Sequence, residues 1–266
     1  MVYIDTPGFD DTSVPDAVML SRIADWLHHK YVFQDFTVLN NRRIPSSLTN
    51  SIPISGIFYF HRISDNRMSG TAVQNLEVFQ KLCGFDNSAF LQRVFFVTTM
   101  WDEVEPSEGE RRLKELCTSW WSGMMKKGAN EHALRGNGSR NDSDGPTPEA
   151  VKAVVDAVVD RASSTPSQYL HSSRTSIQSE LQQGKEVGNT AAASVLYKQA
   201  GKQRRRLKEI VDKLQAEQAA ITEDGHLKNM LQKELDDARK ELTLVEGEEV
   251  RLAEGGARTS KFRFWA

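Results

Sequence analysis

Val2-Tyr3-Ile4-Asp5-Thr6-Pro7-Gly8 opens the chain as an apolar triplet running into an aspartate, with a glycine three residues beyond. An aspartate at the C-terminal end of a buried parallel strand is placed to hold a magnesium ion, usually through water. A glycine three residues later lets its backbone N–H approach a terminal phosphate with no Cβ in the way. The segment therefore predicts a strand over residues 2–4. In Asp5, Thr6, Pro7 and Gly8 it predicts a turn that binds nucleotide and senses its γ-phosphate, with Asp5 as the metal-holding residue. D-x-x-G alone is a weak pattern, since Pro-Gly also punctuates an ordinary strand exit.

A second apolar run, Val94-Phe95-Phe96-Val97, ends in Thr98-Thr99-Met100-Trp101-Asp102. A carboxylate at that place can accept hydrogen bonds from guanine's ring N–H and its exocyclic amine together, a pairing that adenine does not offer. Thr99 and Asp102 are thus candidates for reading a guanine base. The usual order is Asn or Thr, then Lys, any residue, and Asp. Met100 stands in the lysine's place and donates no hydrogen bond, although its apolar stem could cover a base face.

Between the two motifs runs Ser55-Gly56-Ile57-Phe58-Tyr59-Phe60-His61-Arg62-Ile63-Ser64-Asp65-Asn66-Arg67-Met68-Ser69-Gly70-Thr71. With Asp5-Thr6-Pro7-Gly8-Phe9-Asp10-Asp11-Thr12 before it and the loop 97–104 after it, the chain resembles the fungal G-domain proteins. These stand near the septin, chloroplast-import and AIG-type immunity-associated GTPases. The resemblance spans most of the chain. It implies a partial Ras-like α/β fold, a parallel sheet flanked by helices, that binds GTP or GDP with Mg2+.

A phosphate loop, G-x-x-x-x-G-K-[ST], occurs nowhere in the 266 residues. Gly184-Lys185 and Gly201-Lys202 lack its flanking pattern and fall in the helical tail. The expectation is an N-terminally truncated G domain, short of the strand that the Ras-like fold sets between residues 2–4 and 57–60. Backbone N–H groups and the lysine of that loop carry most of the triphosphate affinity. Guanine nucleotide binding by this chain is accordingly expected to be weak or absent. No residue is assigned a catalytic role; Asp10 and Asp11 are unspecific candidates.

Charged residues make up 26% of the chain with a formal net charge of −2, so bulk charge draws it to neither nucleic acid nor anionic lipid. No apolar run reaches the roughly 18 to 20 residues that span a bilayer, and the N-terminus lacks a signal-peptide layout. A cytoplasmic protein is expected. Cys83 and Cys117 have neither C-x-x-C nor ligand-spaced histidines and read as buried thiols.

Strands alternate with helices up to about residue 162: helices over 15–30, 71–82 and 108–127, strands over 57–60 and 94–98. This pattern argues for a parallel sheet covered on both faces. Residues 32–53 have no period and read as an insertion, either a translated intron or a partner-binding loop. Residues 136–148 form an exposed loop, and Pro148-Glu149 open a helix to about residue 160. After a linker at 163–172, residues 173–253 become long charged helix. Its apolar positions Leu207, Ile210 or Val211, Leu214, Ile221, Leu227, Leu231, Leu235, Ala238, Leu242 and Val245 are spaced like a coiled-coil seam. Gly225 breaks the phase, which suits either a helix pair folding back or two dimerising segments. The seam implies a protein partner or a homodimer. The basic cluster Lys202-Gln203-Arg204-Arg205-Arg206-Leu207-Lys208 reads as a solvated helix face rather than a nucleic-acid patch. Residues 254–266 form a tail.

Three functional readings compete. One is a GTPase-family protein with impaired nucleotide binding. The second is a nucleotide-free scaffold built on the remnant domain and the coiled coil. The third is a magnesium-dependent phosphohydrolase using Asp5, Asp10 and Asp11.

Overall fold

A computed structural model describes residues 4–6, 8–9, 14–28, 54–85, 87–136, 145–165, 174–221 and 225–254. The expected insertion at 32–53 and Val2, Tyr3, Pro7, Asp10 and Asp11 lie outside them. The chain divides into two compact units, one of residues 1–26 with 180–266 and one of residues 27–179. In chain order the elements are α1 Asp16–His28, β1 Ile57–Arg62, α2 Gly70–Cys83, α3 Ser88–Leu91, β2 Val94–Thr99, α4 Pro106–Glu115, α5 Ser122–Met125, β3 Asn130–Ala133, α6 Pro148–Ser164, α7 Ser176–Gln182, α8 Ala191–Ala220 and α9 Gly225–Ala253. The architecture is α/β, a three-stranded parallel sheet with flanking helices followed by a helical C-terminal region.

The sheet has the order β1-β2-β3, with every pairing parallel. In β2 the residues from Val94 to Thr98 are all buried. That suits a central parallel strand, whose two faces are both covered and whose sequence therefore reads as a continuous apolar run. Phe58 pairs with Phe95 and Phe60 with Val97. On this face Phe95 and Val97 pack with Val154 and Val158 of α6. Helix and sheet approach so closely that a Cβ on Gly56 would sit 2.9 Å from a methyl of Val158. Pro148 fits the first turn of α6, and the Thr147 hydroxyl caps it by accepting from the Ala150 N–H at 3.1 Å.

The opposite face is aromatic. Tyr59 meets Phe79 of α2 with ring centroids 4.9 Å apart, and Phe96 stacks on Trp121 at 4.5 Å. The single helix expected over 108–127 is broken here. After α4 comes a π-turn, Leu116–Trp120, and then α5. A π-turn shifts the helical phase, and beyond this one Trp121 is fully buried while its neighbour Trp120 is 36% exposed.

β3 was not expected, because Asn130-Glu131-His132-Ala133 has no apolar run. Its backbone nonetheless pairs with β2, and Leu134 N–H continues the ladder to the Thr98 carbonyl at 2.8 Å. Residues 2–4 were expected as a strand; Ile4, the one of them described, is 38% exposed and outside any strand.

In the other unit α8 and α9 fold back on each other. Arg204 pairs with Glu249 at 2.8 Å, Lys208 with Glu246 at 3.3 Å, and Gln218 with Gln232 at 2.7 Å, the antiparallel progression of a hairpin. Ala200, Leu207 and Val245 form one buried cluster, and Val211, Leu235 and Ala238 a second. Val211, not Ile210, takes the seam position, and Ile210 is 37% exposed. The Thr190 hydroxyl caps α8 through the Ala193 N–H, while the Glu180 carboxylate accepts from the Ala191 N–H. Ala17 N–H at the start of α1 donates to Glu248 at 3.0 Å, which satisfies one of the donors a helix N-terminus leaves over. No helix among the described residues is long and apolar enough to cross a membrane.

Candidate functional site

The site is built where β2 ends. Thr98 is fully buried; Thr99 is half-buried, and its carbonyl accepts from the Ile63 N–H at 2.9 Å. Met100 then turns the chain with φ 58 and ψ 43, the left-handed region that an L-residue other than glycine rarely occupies. A 3₁₀ turn, Trp101–Glu103, follows and presents Asp102 to solvent. Thr99 and Asp102 thus share one turn at the C-terminal end of the central strand, where ligands of open α/β sheets bind. Among the described residues Asp102 makes no hydrogen bond or ion pair.

Trp101 is the pivot of this turn. Its Nε1 donates to the Thr98 hydroxyl at 3.0 Å. The six-membered ring of the indole lies against α4 at Gly109, where a Cβ would come within 2.8 Å of the ring carbon Cζ3. The Arg135 guanidinium, just past β3, stacks on the ring 4.2 Å from its centroid, and Arg135 is itself paired with Glu110 at 2.6 Å.

Beside the turn, the loop after β1 is held by Arg112. Its guanidinium donates to the carbonyls of Ile63 at 3.0 Å and Ser64 at 2.9 Å and to Asn66 Oδ1 at 2.7 Å. It also bonds Glu108 at 2.9 Å. Hydrogen bonds from Arg111, and next from Arg112, hold the Glu108 carboxyl down at about 2. The recess among His61, Ile63, Asp65, Met68, Arg112 and Trp120 encloses about 10 Å³, room for a single water and not for a ligand. Burial lowers the His61 pKa, against a smaller opposing pull from Asp65. The Glu131 carboxyl is raised, chiefly by burial.

The residues of the opening motif belong to the other compact unit. Asp5, Thr6 and Gly8 are exposed, and a Cβ at Gly8 would meet no atom within 4 Å, so packing does not demand glycine there. Among the described residues no group of three or more His, Cys, Asp or Glu gathers to hold a metal ion. Asp5 would supply one carboxylate only, and this donor set does not make a magnesium site by itself. Cys83 is buried and Cys117 half-buried; both are free thiols, the latter pushed up to about 11 by burial and, secondarily, by Glu131. The basic cluster on α8 is engaged as a helix face, through the Arg204–Glu249 and Lys208–Glu246 pairs.

Sequence reasoning missed Gly109, Arg112 and Arg135. The role of each depends on what folds against it. The one available signal was the position of Arg135, right after the polar strand that also escaped notice. No family model, curated protein or solved structure matches the chain.

Proposed function

We propose that the Thr99–Asp102 turn reads a guanine base, and that the chain is a guanine-nucleotide-binding protein of the G-domain type. The observation that carries the proposal is Asp102, exposed and without a partner among the described residues, on a turn leaving the C-terminal end of a buried parallel strand. Its carboxylate can accept from guanine N1–H and the 2-amino group at once. Inosine lacks the amine and forfeits one of the two bonds. Adenine presents an acceptor where guanine has N1–H, so it fits worse still. Met100, 43% exposed beside Asp102, offers an apolar stem to the base face. The parallel order β1-β2-β3 and the helices on both of its faces support a Ras-like reading.

Affinity should be low. Two charge-assisted hydrogen bonds contribute about 1.5 to 3 kcal/mol each, and association costs at least about 4 kcal/mol before any net gain. A phosphate loop would add the missing share, and its pattern does not occur in these 266 residues. Magnesium-GTP is therefore expected to show no binding at micromolar nucleotide. At millimolar concentration, ligand-observed NMR with guanosine, inosine and adenosine monophosphates tests the base-reading step without magnesium. Guanosine monophosphate should bind roughly tenfold more tightly than the inosine compound. Equal signals from the three would overturn the proposal.

A nucleotide-independent scaffold is the second reading. It draws on the hairpin of α8 and α9, whose exposed Leu227, Met230, Leu244 and Val250 could meet a protein partner or a second copy of the chain. Sedimentation velocity over a concentration series would detect the second copy.

A further inference from the structure

The backbone of the base-reading turn holds itself only loosely. Its 3₁₀ hydrogen bond, from the Glu103 N–H to the Met100 carbonyl, measures 3.4 Å, at the long limit for such a bond. The preceding left-handed residue has a side chain, so its conformation carries strain that surrounding contacts must hold. Those contacts converge on Trp101. The indole ties the turn to β2 through Thr98, to α4 through Gly109, and to the segment after β3 through Arg135. Glu110 pairs with Arg135 at 2.6 Å, which gives the guanidinium over the ring a carboxylate partner other than Asp102. The Thr98 hydroxyl, fully buried, completes the anchor and lies 3.5 Å from the His132 carbonyl.

We propose that Trp101 is a positioning residue for Asp102: its indole is a wedge, seated on Thr98, Gly109 and Arg135, that fixes the direction in which the carboxylate faces a guanine base. This rests on the base-reading function proposed above. Selectivity between guanine and hypoxanthine needs both carboxylate oxygens in the plane of the base. An error in the direction of the Asp102 side chain removes the bond to the 2-amino group first, and with it the difference between the two purines. Trp101 is therefore expected to govern selectivity more than fold stability.

The test measures the ratio of guanosine to inosine monophosphate affinity, by ligand-observed NMR at millimolar concentration, together with the melting temperature. Four forms of the full chain are compared: the unaltered protein, Trp101→Phe, Thr98→Val and Thr98→Ser. The unaltered chain should favour guanosine monophosphate roughly tenfold. Trp101→Phe and Thr98→Val both remove the Nε1 anchor and should bring the ratio close to one while the protein still melts cooperatively. Thr98→Ser keeps the hydroxyl and should keep the ratio. If Trp101→Phe fails to fold, the Thr98 pair decides, since both leave the indole in place. A ratio still near tenfold in Thr98→Val overturns the positioning role and leaves base reading intact. A ratio of one in the unaltered chain overturns base reading, and the positioning role falls with it.

Discussion

Met100 has a left-handed backbone at the bend on which the proposed site depends, and a conformation of that kind costs an L-residue about 1 to 2 kcal/mol. Glycine would relieve the strain while adding flexibility to the unfolded chain, so Met100→Gly should change stability by under about 1 kcal/mol. A β-branched residue suffers most at positive φ. Met100→Val is expected to be less stable than Met100→Gly by about 1 to 2 kcal/mol in urea unfolding; equal midpoints would show that the turn relaxes to another conformation. His61 gives a pH signature. Burial lowers its pKa in the folded state, so below the unfolded value of about 6.5 the unfolded chain takes up the proton first. The stability due to neutral His61 is thus fully present above that value and declines as pH falls from it toward the folded pKa. His132 is lowered by burial in the same direction. Melting curves at pH 7.5 and 5.5 should converge for His61→Phe relative to the unaltered protein, and parallel losses would contradict this. The turn that carries Thr99 and Asp102 was legible in the sequence because it follows an unmistakable buried strand. The left-handed Met100 was not, since nothing in its chemistry requests that conformation.

At the scale of elements, apolar patterning found β1, β2, α2 and α6 to within a few residues. β3 escaped because its contribution is backbone pairing beside a covered neighbour, and its side chains are all half-buried. The π-turn after α4 escaped because apolar spacing does not distinguish a continuous helix from one with a widened turn. In the hairpin the seam was legible as a spacing of threes and fours, whereas the choice between folding back and dimerising was not. A seam records what each helix buries and not which helix it meets. The folded-back arrangement makes a clear energetic prediction. Leu235 is 2% exposed and Leu244 is 65% exposed on the same helix. Leu235→Ala should destabilise the hairpin by about 2 to 5 kcal/mol, and Leu244→Ala should stay within about 0.5 kcal/mol. Chemical unfolding followed by far-UV circular dichroism reads both, and a large loss at Leu244 would mean that it too is buried against a partner.

For the molecule as a whole, the sequence foretold a parallel α/β layer and long C-terminal helices, and both are present. The compact units themselves were harder to foresee. α1 begins in the unit of the C-terminal helices, and its Ala17 N–H bonds Glu248, more than two hundred residues later in the chain. No local period encodes a contact at that separation. The functional reading concentrates on one turn, residues 99–102, and the corresponding measurement is a two-dimensional amide correlation spectrum of the uniformly ¹⁵N-labelled chain, titrated with guanosine monophosphate to millimolar concentration. The account predicts saturable shifts at the amides of Thr99, Met100, Trp101, Asp102 and Glu103, lost in Asp102→Ala and much smaller with adenosine monophosphate. Shifts of equal size with both nucleotides, shifts that survive Asp102→Ala, or a turn that never responds would contradict it.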